Sequence, residues 1–469
     1  MTESQTNVAW DVLLDLTRPA DRPLHERLRN ALRDAIRDGR ISVGTALPPS
    51  RALAVDLGCS RWAVTEAYGQ LVAEGYLRAL TGSATWVQWS GDPPPVRPAH
   101  PPPAERTPRY DLAPGLPDLR AFPRRRWADA VRGQLAVMTY QELGYPVPAG
   151  HPRLRRLLAD YLRRSRGASA GAADVIVCTS VTAGVRQLCQ ALLADGITAI
   201  GCEEPGWTRL RDVVRAAGLA VVPVRTDGSG LRVAELAGHP GLRAVLTTPA
   251  HQFPGGMVLS PARRAALLRW AREVDGVIVE DDYDAEFRYD RRPVGTVQGM
   301  DPSRVVLVKS LSKMLSPALG IGWMVVPPRW ADVLPAAHTS DGLPPTVDQM
   351  AFATLLESGG YDRHLRRARQ RYRARRDALV RALAEQVPGS RISGVAAGLH
   401  LLLHLPTSTD TAAVVAAAAA RSVRVADLAS YHATPDRPAH GLVLGYGNLA
   451  DNIVTDAVTH LAAALQDTG

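Results

Sequence analysis

The sequence predicts an α/β protein in two folded parts. A small N-terminal helix-turn-helix with a β-hairpin precedes a large region built on a mostly parallel sheet. Three observations carry this. The first ninety residues show helical periodicity three times and then a hairpin pattern. From Tyr110 onward, short apolar runs rich in β-branched residues alternate with amphipathic stretches. Between the two lies Ser90–Pro108, with eight prolines and no periodicity.

Composition sets the class. At 469 residues, 46% apolar and 22% charged, the chain is a globular protein of two or three domains. The net charge of +9 suits a polyanion partner without placing it. Residues 1–90 hold ten arginines against ten acids, so that part is formally neutral. Cys59, Cys178, Cys189 and Cys202 show no C-x-x-C spacing and read as buried thiols in a reducing compartment. No signal-peptide pattern opens the chain. The apolar run Ala412–Ala420 is too short to span a bilayer and is closed by Arg421, so a cytoplasmic protein is expected.

In the N-terminal part, Leu24, Leu28, Ala31, Leu32, Ala35 and Ile36 form one helical stripe between Pro23 and Gly39. Ser50 is the expected N-cap of a second helix that buries Leu53, Ala54 and Leu57 before Gly58 stops it. Ser60 caps a third, with Val64, Ala67, Tyr68 and Leu71 inward. Two helices joined by a short Gly-containing turn form a helix-turn-helix, and Tyr76–Val87 reads as a hairpin wing. The start of the second helix of such a pair meets base edges. That assigns Ser60, Arg61, Trp62 and Thr65 to double-stranded DNA, with Arg51 and the wing tip, Thr81, Gly82 and Ser83, on phosphate. The linker is expected to be an extended spacer.

In the large region the strand-like runs are 175–178, 197–201, 220–224, 244–247, 277–279 and 305–308, with helical patterns over 182–194, 209–217 and 261–274. Short buried strands alternating with helices predict a parallel sheet covered on both faces. Ligands of such sheets collect beyond the strand C-termini. Glu203–Trp207, Thr248–Gly256, Glu280–Tyr283 and Lys309–Lys313 lie there. Three successive acids, Glu280, Asp281 and Asp282, require a cation or hydrogen-bond network to accept them.

The lysines are the sharpest signal. Of 55 Lys plus Arg residues only Lys309 and Lys313 are lysine, leaving 53 arginines. Arginine serves as well on a solvated surface but cannot form a Schiff base with an aldehyde. Two primary amines four residues apart in such a chain point to a covalently held aldehyde cofactor, with Lys313 as the anchor.

The run Leu47–Leu77 resembles the winged helix of GntR-type bacterial regulators, over about residues 22–88, with Ala84 where that wing often has a second glycine. Glu204-Pro-Gly-Trp207, Thr248–Gly256, Glu280–Tyr289 and Ser310–Pro317 occur in the order of the fold-type I aminotransferases. Joined, the two parts resemble the MocR/GabR-type regulators over about residues 22–465. The resemblance implies a DNA-binding domain over 1–89, a linker over 90–109 and an aminotransferase-like domain over 110–469, whose residues 340–469 form a smaller α+β subdomain. It implies pyridoxal phosphate as cofactor, with Lys313 as Schiff-base lysine, Asp281 on the pyridine nitrogen, Tyr283 on the ring hydroxyl and Trp207 stacked on the ring. Ser310, Ser312 and Thr182 would lie by the phosphate.

This chain departs from that pattern in three places. Val181 stands where a glycine lets the backbone approach the phosphate. Gly320 stands where an arginine grips it, a loss of about 1.5–3 kcal/mol of cofactor binding. Lys309 is the expected replacement cation. The strand Leu442–Tyr446 is apolar where aminotransferases carry an arginine for the substrate carboxylate, with Arg424 or Arg437 as possible substitutes. The favoured function is therefore a homodimeric transcription regulator that senses pyridoxal phosphate or an amino-acid or amine effector. A working aminotransferase and a cofactor-free regulator are the alternatives.

Overall fold

The computed structural model describes residues 10, 14, 16, 21–79, 84–89, 108–290, 294–336, 343–433 and 440–468. The chain divides into two compact units, Met1–Glu105 and Arg106–Gly469.

In the first unit, helices α1 (Leu24–Arg37), α2 (Ser50–Asp56) and α3 (Arg61–Ala73) enclose a core of Leu28, Leu32, Ile36, Leu53, Val64, Ala67 and Leu71. Strands β1 (Ala46–Leu47), β2 (Leu77–Ala79) and β3 (Thr85–Val87) form an antiparallel sheet in the order β1-β3-β2. Ser60 caps α3 as expected, its hydroxyl accepting from Ala63 N at 3.2 Å. Ser50 does not cap α2. Pro49 holds the cap position, and Ser50 is the first helical residue, its hydroxyl accepting from Arg61 Nε at 3.4 Å. A proline needs no N–H partner at a helix start, and that displaces the serine by one residue.

The second unit is built on an eight-stranded sheet. Its strands are β4 (Val175–Cys178), β5 (Ala199–Glu204), β6 (Ala220–Asp227), β7 (Gly230–Leu231), β8 (Ala244–Thr247), β9 (Val277–Asp281), β10 (Val305–Ser310) and β11 (Gly322–Val325). The order is β4-β11-β10-β9-β8-β5-β6-β7. The pairs β10-β9, β9-β8, β8-β5 and β5-β6 are parallel; β11 runs against both neighbours, and β7 runs against β6. Burial on both faces explains the unbroken apolar runs of β4, β8, β9, β10 and β11, whereas β6 lies partly open to solvent.

The helices used below are α4 (Arg124–Leu135), α5 (Pro152–Arg166), α6 (Val181–Ala194), α7 (Thr208–Ala216), α8 (Pro261–Glu273), α9 (Thr346–Glu357) and the long α10 (Gly360–Gln386). The end of the chain forms a smaller antiparallel sheet of Arg391–Ser393, His400–His404, Gly441–Gly445 and Ala426–Asp427. Helices Thr411–Ala420 and Val454–Gln466 accompany it, which is α+β as expected. Cys178, Cys189 and Cys202 are buried free thiols, and Cys59 is half-buried. Among the described residues no helix is long and apolar enough to cross a membrane.

Candidate functional site

The site grows from the pleat of two adjacent strands. Successive side chains of a strand face opposite sides of the sheet. On β9 and just beyond it, Glu280 and Asp282 therefore turn one way and Asp281 the other. Glu280 accepts from Val297 N and Gln298 N at 3.0 and 2.9 Å. Asp282 accepts a bidentate pair from Arg166, at 2.8 and 3.0 Å, and Lys309 Nζ at 2.8 Å. The three acids coexist because the sheet separates Asp281 from the other two, and Glu280 and Asp282 each have their own donors. Asp281 alone enters the cavity.

That cavity, of about 340 Å³, opens at the C-terminal ends of the parallel strands. Asp281, Tyr283, Trp207, Thr182, Ser310, Ser312 and Lys313 all line it. One end is a cup at the N-terminus of α6, where Ser180 accepts from Ala183 N at 3.1 Å and lies 2.8 Å from the Thr182 hydroxyl. Free helix N–H groups beside hydroxyls suit a phosphate. Lys313 Nζ donates to Gly115 O at 2.7 Å and sits 5.9 Å from the Trp207 ring centroid. Tyr283 shares a hydrogen bond with His251 Nδ1 at 3.0 Å, and that same nitrogen lies 2.9 Å from Asp284 Oδ2. Gly398, at φ +73°, packs its backbone so closely on this His–Asp pair that a Cβ there would lie 2.2 Å from the imidazole. Cavity-lining Glu203 accepts from Thr247, Thr248 and Gln252.

Electrostatics separate the two central groups. Burial and the neighbouring Asp282 push the Asp281 carboxyl up to about 7, opposed by Lys313 and Lys309. Its Oδ1 is buried without a hydrogen-bond partner. Burial lowers the Lys313 ammonium, with Asp281 and Asp284 opposing. An amine of lowered pKa is the nucleophilic form that carbonyl condensation needs. Asp281 makes a pH prediction. The native state binds its proton more tightly than the unfolded chain, so this carboxyl costs stability as pH rises from about 4 to about 7. Denaturant melts of the cofactor-free protein should show Asp281→Asn flattening that decline; an unchanged pH profile contradicts it.

The expectation for Lys309 is corrected. It does not line the cavity, because it precedes Ser310 on β10 and so faces the opposite side of the sheet. Its ammonium is buried, donating to Asp282 O at 2.7 Å and lying 2.9 Å from Glu286 Oε1. Burial opposes its charge, but Asp282 and Glu286 outweigh burial and raise its pKa. Gly320 takes a left-handed φ of +57°, a conformation that suits glycine and strains an arginine. The cavity-lining cations besides Lys313 are Arg211, paired with Glu204 at 2.8 Å, and Arg209, which has no ion pair among the described residues. Arg209 sits in the first turn of α7, which packs beside α6. Its signal, an arginine two residues after Trp207 in a helix start, was present in the sequence without a role. Glu203 and His251 fall in the stretches Glu203–Trp207 and Thr248–Gly256 that the sequence places at the strand ends, without an individual role, and His400 falls in none of them.

The strand Gly441–Gly445 is apolar as expected, and its Val443 is fully buried against Leu402 and Leu428 without lining the cavity. Arg424 donates to the Asp111 carboxylate at 2.9 and 2.7 Å and does not line the cavity. Arg437 lies outside the described residues.

In the first unit, Arg51, Ser60, Arg61, Trp62 and Thr65 are all exposed around the start of α3. Trp62 is 63% exposed, which an apolar core would not permit. Thr65 donates its hydroxyl back to Arg61 O at 3.0 Å. Thr81, Gly82 and Ser83 lie outside the described residues.

A lysine-bearing cavity at the strand ends of such a sheet, on a chain with a winged helix, defines a regulator carrying an aminotransferase-type unit. Residues 115–438 match the family of class I and II aminotransferases, and residues 24–87 match the gntR family of bacterial regulatory proteins. A probable rhizopine catabolism regulatory protein, MocR, of Rhizobium meliloti is 32% identical, the match covering 96% of each chain. The pyridoxine biosynthesis transcriptional regulator PdxR of Corynebacterium glutamicum is 33% identical over 87% of this chain and 89% of that protein. An archaeal alanine:glyoxylate aminotransferase superposes with a TM-score of 0.71 at 22% identity, over 76% of this chain and 91% of that one, and establishes the fold. The chain belongs to the MocR-type transcriptional regulators, in which a GntR-type helix-turn-helix is joined to an aminotransferase class I/II domain. Pyridoxal phosphate is the cofactor of that domain class.

Proposed function

We propose that the large unit holds pyridoxal phosphate through Lys313 and reports the cofactor, or an amine that reacts with it, to winged helices bound on DNA. The observation that carries this reading is the presence in one cavity of a half-buried lysine and a buried carboxylate whose Oδ1 has no hydrogen-bond partner among the described residues. The residues fit the cofactor. Asp281 Oδ1 offers a buried acceptor for a protonated ring nitrogen, and Trp207 offers a flat face. Tyr283, oriented by His251, offers a hydroxyl for the ring substituent. Ser180, Thr182, Ser310 and Ser312 offer hydroxyls for the phosphate. When bound, the cofactor supplies an aldehyde for amines and a ring that withdraws electrons. Asp281 in its ionised form holds the proton on the ring nitrogen. Lys313, poised towards the neutral amine by burial, both attaches the cofactor and yields to an incoming amine.

The apolar strand Gly441–Gly445 supports a sensor over an aminotransferase, because that strand offers no cation for a substrate carboxylate. Gly320 favours a second reading, a cofactor-free regulator, and one titration separates the two. Purified protein with added pyridoxal phosphate should develop the visible absorption band of a lysine-bound cofactor. No band, at any cofactor concentration, sinks the reading.

Arg209 takes the place proposed above for Lys309 as the phosphate cation. Arg209→Ala should weaken pyridoxal phosphate binding about tenfold, the share of one charge-assisted contact, and leave pyridoxal, which lacks the phosphate, unchanged. Equal weakening of both ligands refutes the assignment.

Arg61 and Trp62 are proposed to read bases. Arg61→Ala should cost about 1–3 kcal/mol of specific DNA binding and relax specificity at one position. A uniform loss across sequences would instead place Arg61 on phosphate.

A second copy of the chain is proposed to cover the apolar stretch after α4, where Val137, Tyr140 and Tyr145 are 70%, 82% and 92% exposed. Exposed aromatic clusters of this kind mark subunit contacts. Sedimentation at a monomer mass contradicts it.

A further inference from the structure

The Lys313 cavity carries an aromatic wall that the cofactor residues leave unused. Aromatic residues make up 5% of the chain, yet Trp207, Phe253, Tyr283 and Tyr431 all line this one cavity, with His400 beside them. Trp207 and Tyr283 are assigned above to the cofactor; Phe253, His400 and Tyr431 have no part in holding it. Phe253 joins the group. Its ring centroid lies 5.0 Å from those of His400 and Tyr431 and 6.2 Å from that of Tyr283, each contact edge-to-face. The wall therefore starts beside the residue placed at the ring hydroxyl and runs on from there.

The backbone holds this wall in place. Tyr431 closes a short 3-10 turn, Leu428–Tyr431, that is tied to the start of α7. Gly206 N and Arg211 Nη2 donate to Tyr431 O at 3.0 and 2.8 Å, and Thr208 Oγ1 donates to Ser430 O at 2.9 Å. Just beyond the turn, Ala433 N donates to the Glu204 carboxylate at 2.7 Å. His400 is fixed by its Nε2, 3.2 Å from Pro254 O; a carbonyl only accepts, so that nitrogen carries the proton. Burial, then the neighbouring His251 and Lys313, lower the His400 pKa well below the ordinary value. It joins the wall as a neutral ring.

The charged groups of the cavity limit what the wall can receive. Arg211 is held by Glu204 and by Tyr431 O, and Arg209 is assigned above to the phosphate. The strand Gly441–Gly445 adds no cation, so an effector carboxylate finds no partner there. Glu203 already accepts from Thr247, Thr248 and Gln252, which leaves it ill-suited to a second ammonium. We propose that the amine sensed by this protein is an aryl-alkyl primary amine without a carboxylate, its ring packed against Phe253, His400 and Tyr431. This rests on the Lys313 reading above and names the class of amine. The amine nitrogen bonds to the aldehyde carbon as the Lys313 nitrogen leaves it, and the two amine hydrogens pass to Lys313. No oxidant or reductant enters. Edge-to-face contacts with several rings favour an aromatic side chain over a saturated one of the same size.

The test loads the full-length protein with pyridoxal phosphate and titrates it with 2-phenylethylamine, 2-cyclohexylethylamine and phenylalanine, following the visible band. 2-Phenylethylamine should change the band with a Kd at least about fivefold below that of either other amine. Equal Kd values for the phenyl and cyclohexyl amines overturn the proposal, and so does tighter binding of phenylalanine, which marks a carboxylate site. Tyr431→Leu should cut the advantage of the phenyl amine to about twofold or less, while Tyr431→Phe, which keeps the ring, should preserve it. An advantage undiminished in Tyr431→Leu also overturns the proposal; should that variant fail to fold, Phe253→Leu is measured in its place. If no band forms with pyridoxal phosphate, the Lys313 reading has failed on its own. Calorimetric titration of the cofactor-free protein with the same amines then decides: the same ranking upholds the aromatic wall, and equal affinities overturn it.

Discussion

Lys313→Ala should abolish the visible absorption band that pyridoxal phosphate gives with the wild-type protein and raise the cofactor Kd about a hundredfold, roughly 2.7 kcal/mol. The chain has one other lysine, and the pleat of β10 turns it to the far side of the sheet. No second lysine can therefore inherit the attachment. Arg209 lies on the same cavity but cannot condense with an aldehyde. Weak residual binding through Asp281, Tyr283 and the helix cup should remain, visible as quenching of Trp207 fluorescence without the band. Retention of the band in Lys313→Ala would remove Lys313 from its role.

Lys309→Met should destabilise the large unit by about 3–5 kcal/mol, because it strands two buried carboxylates, Asp282 and Glu286, with one cation fewer. Arg166 still neutralises Asp282, but among the described residues the Glu286 carboxylate keeps only the Tyr161 hydroxyl, at 3.1 Å, as a hydrogen-bond partner. Adding Glu286→Gln should recover part of the loss, since a neutral amide no longer needs the ammonium. Denaturant titration of the three proteins checks this. A phosphate-binding role for Lys309 makes the opposite forecast: unchanged stability and weaker cofactor binding.

The contrast between these two lysines shows how far the sequence speaks. Their rarity marked both as special, and composition alone shows that. Which one faces the ligand depends on strand register, because neighbours on a strand point to opposite faces. Val305–Val308 located the strand, but it runs on to Ser310, and that extension settles the side of Lys309. The acid run is parallel: the sequence posed the question of how Glu280, Asp281 and Asp282 coexist, and long-range partners at Val297, Gln298, Arg166 and Lys309 answer it. Residues that act through such partners, His251 on Tyr283 among them, carry no local signature. The parallel sheet was legible because strands buried on both faces are continuous apolar runs. The start of α2 was not, because Pro49 and Ser50 are both acceptable at a helix start and only the backbone decides between them.

The central claim is that the Lys313 cavity and the DNA-reading unit are coupled. A duplex obtained by in vitro selection against the full-length protein provides the probe. Its affinity is measured for wild type and Lys313→Ala, each with and without pyridoxal phosphate. The account predicts that the cofactor shifts wild-type affinity at least about fivefold, the lower range of allosteric coupling, and leaves Lys313→Ala unmoved. Equal affinities with and without the cofactor in the wild type, where the absorption band shows it bound, would contradict it.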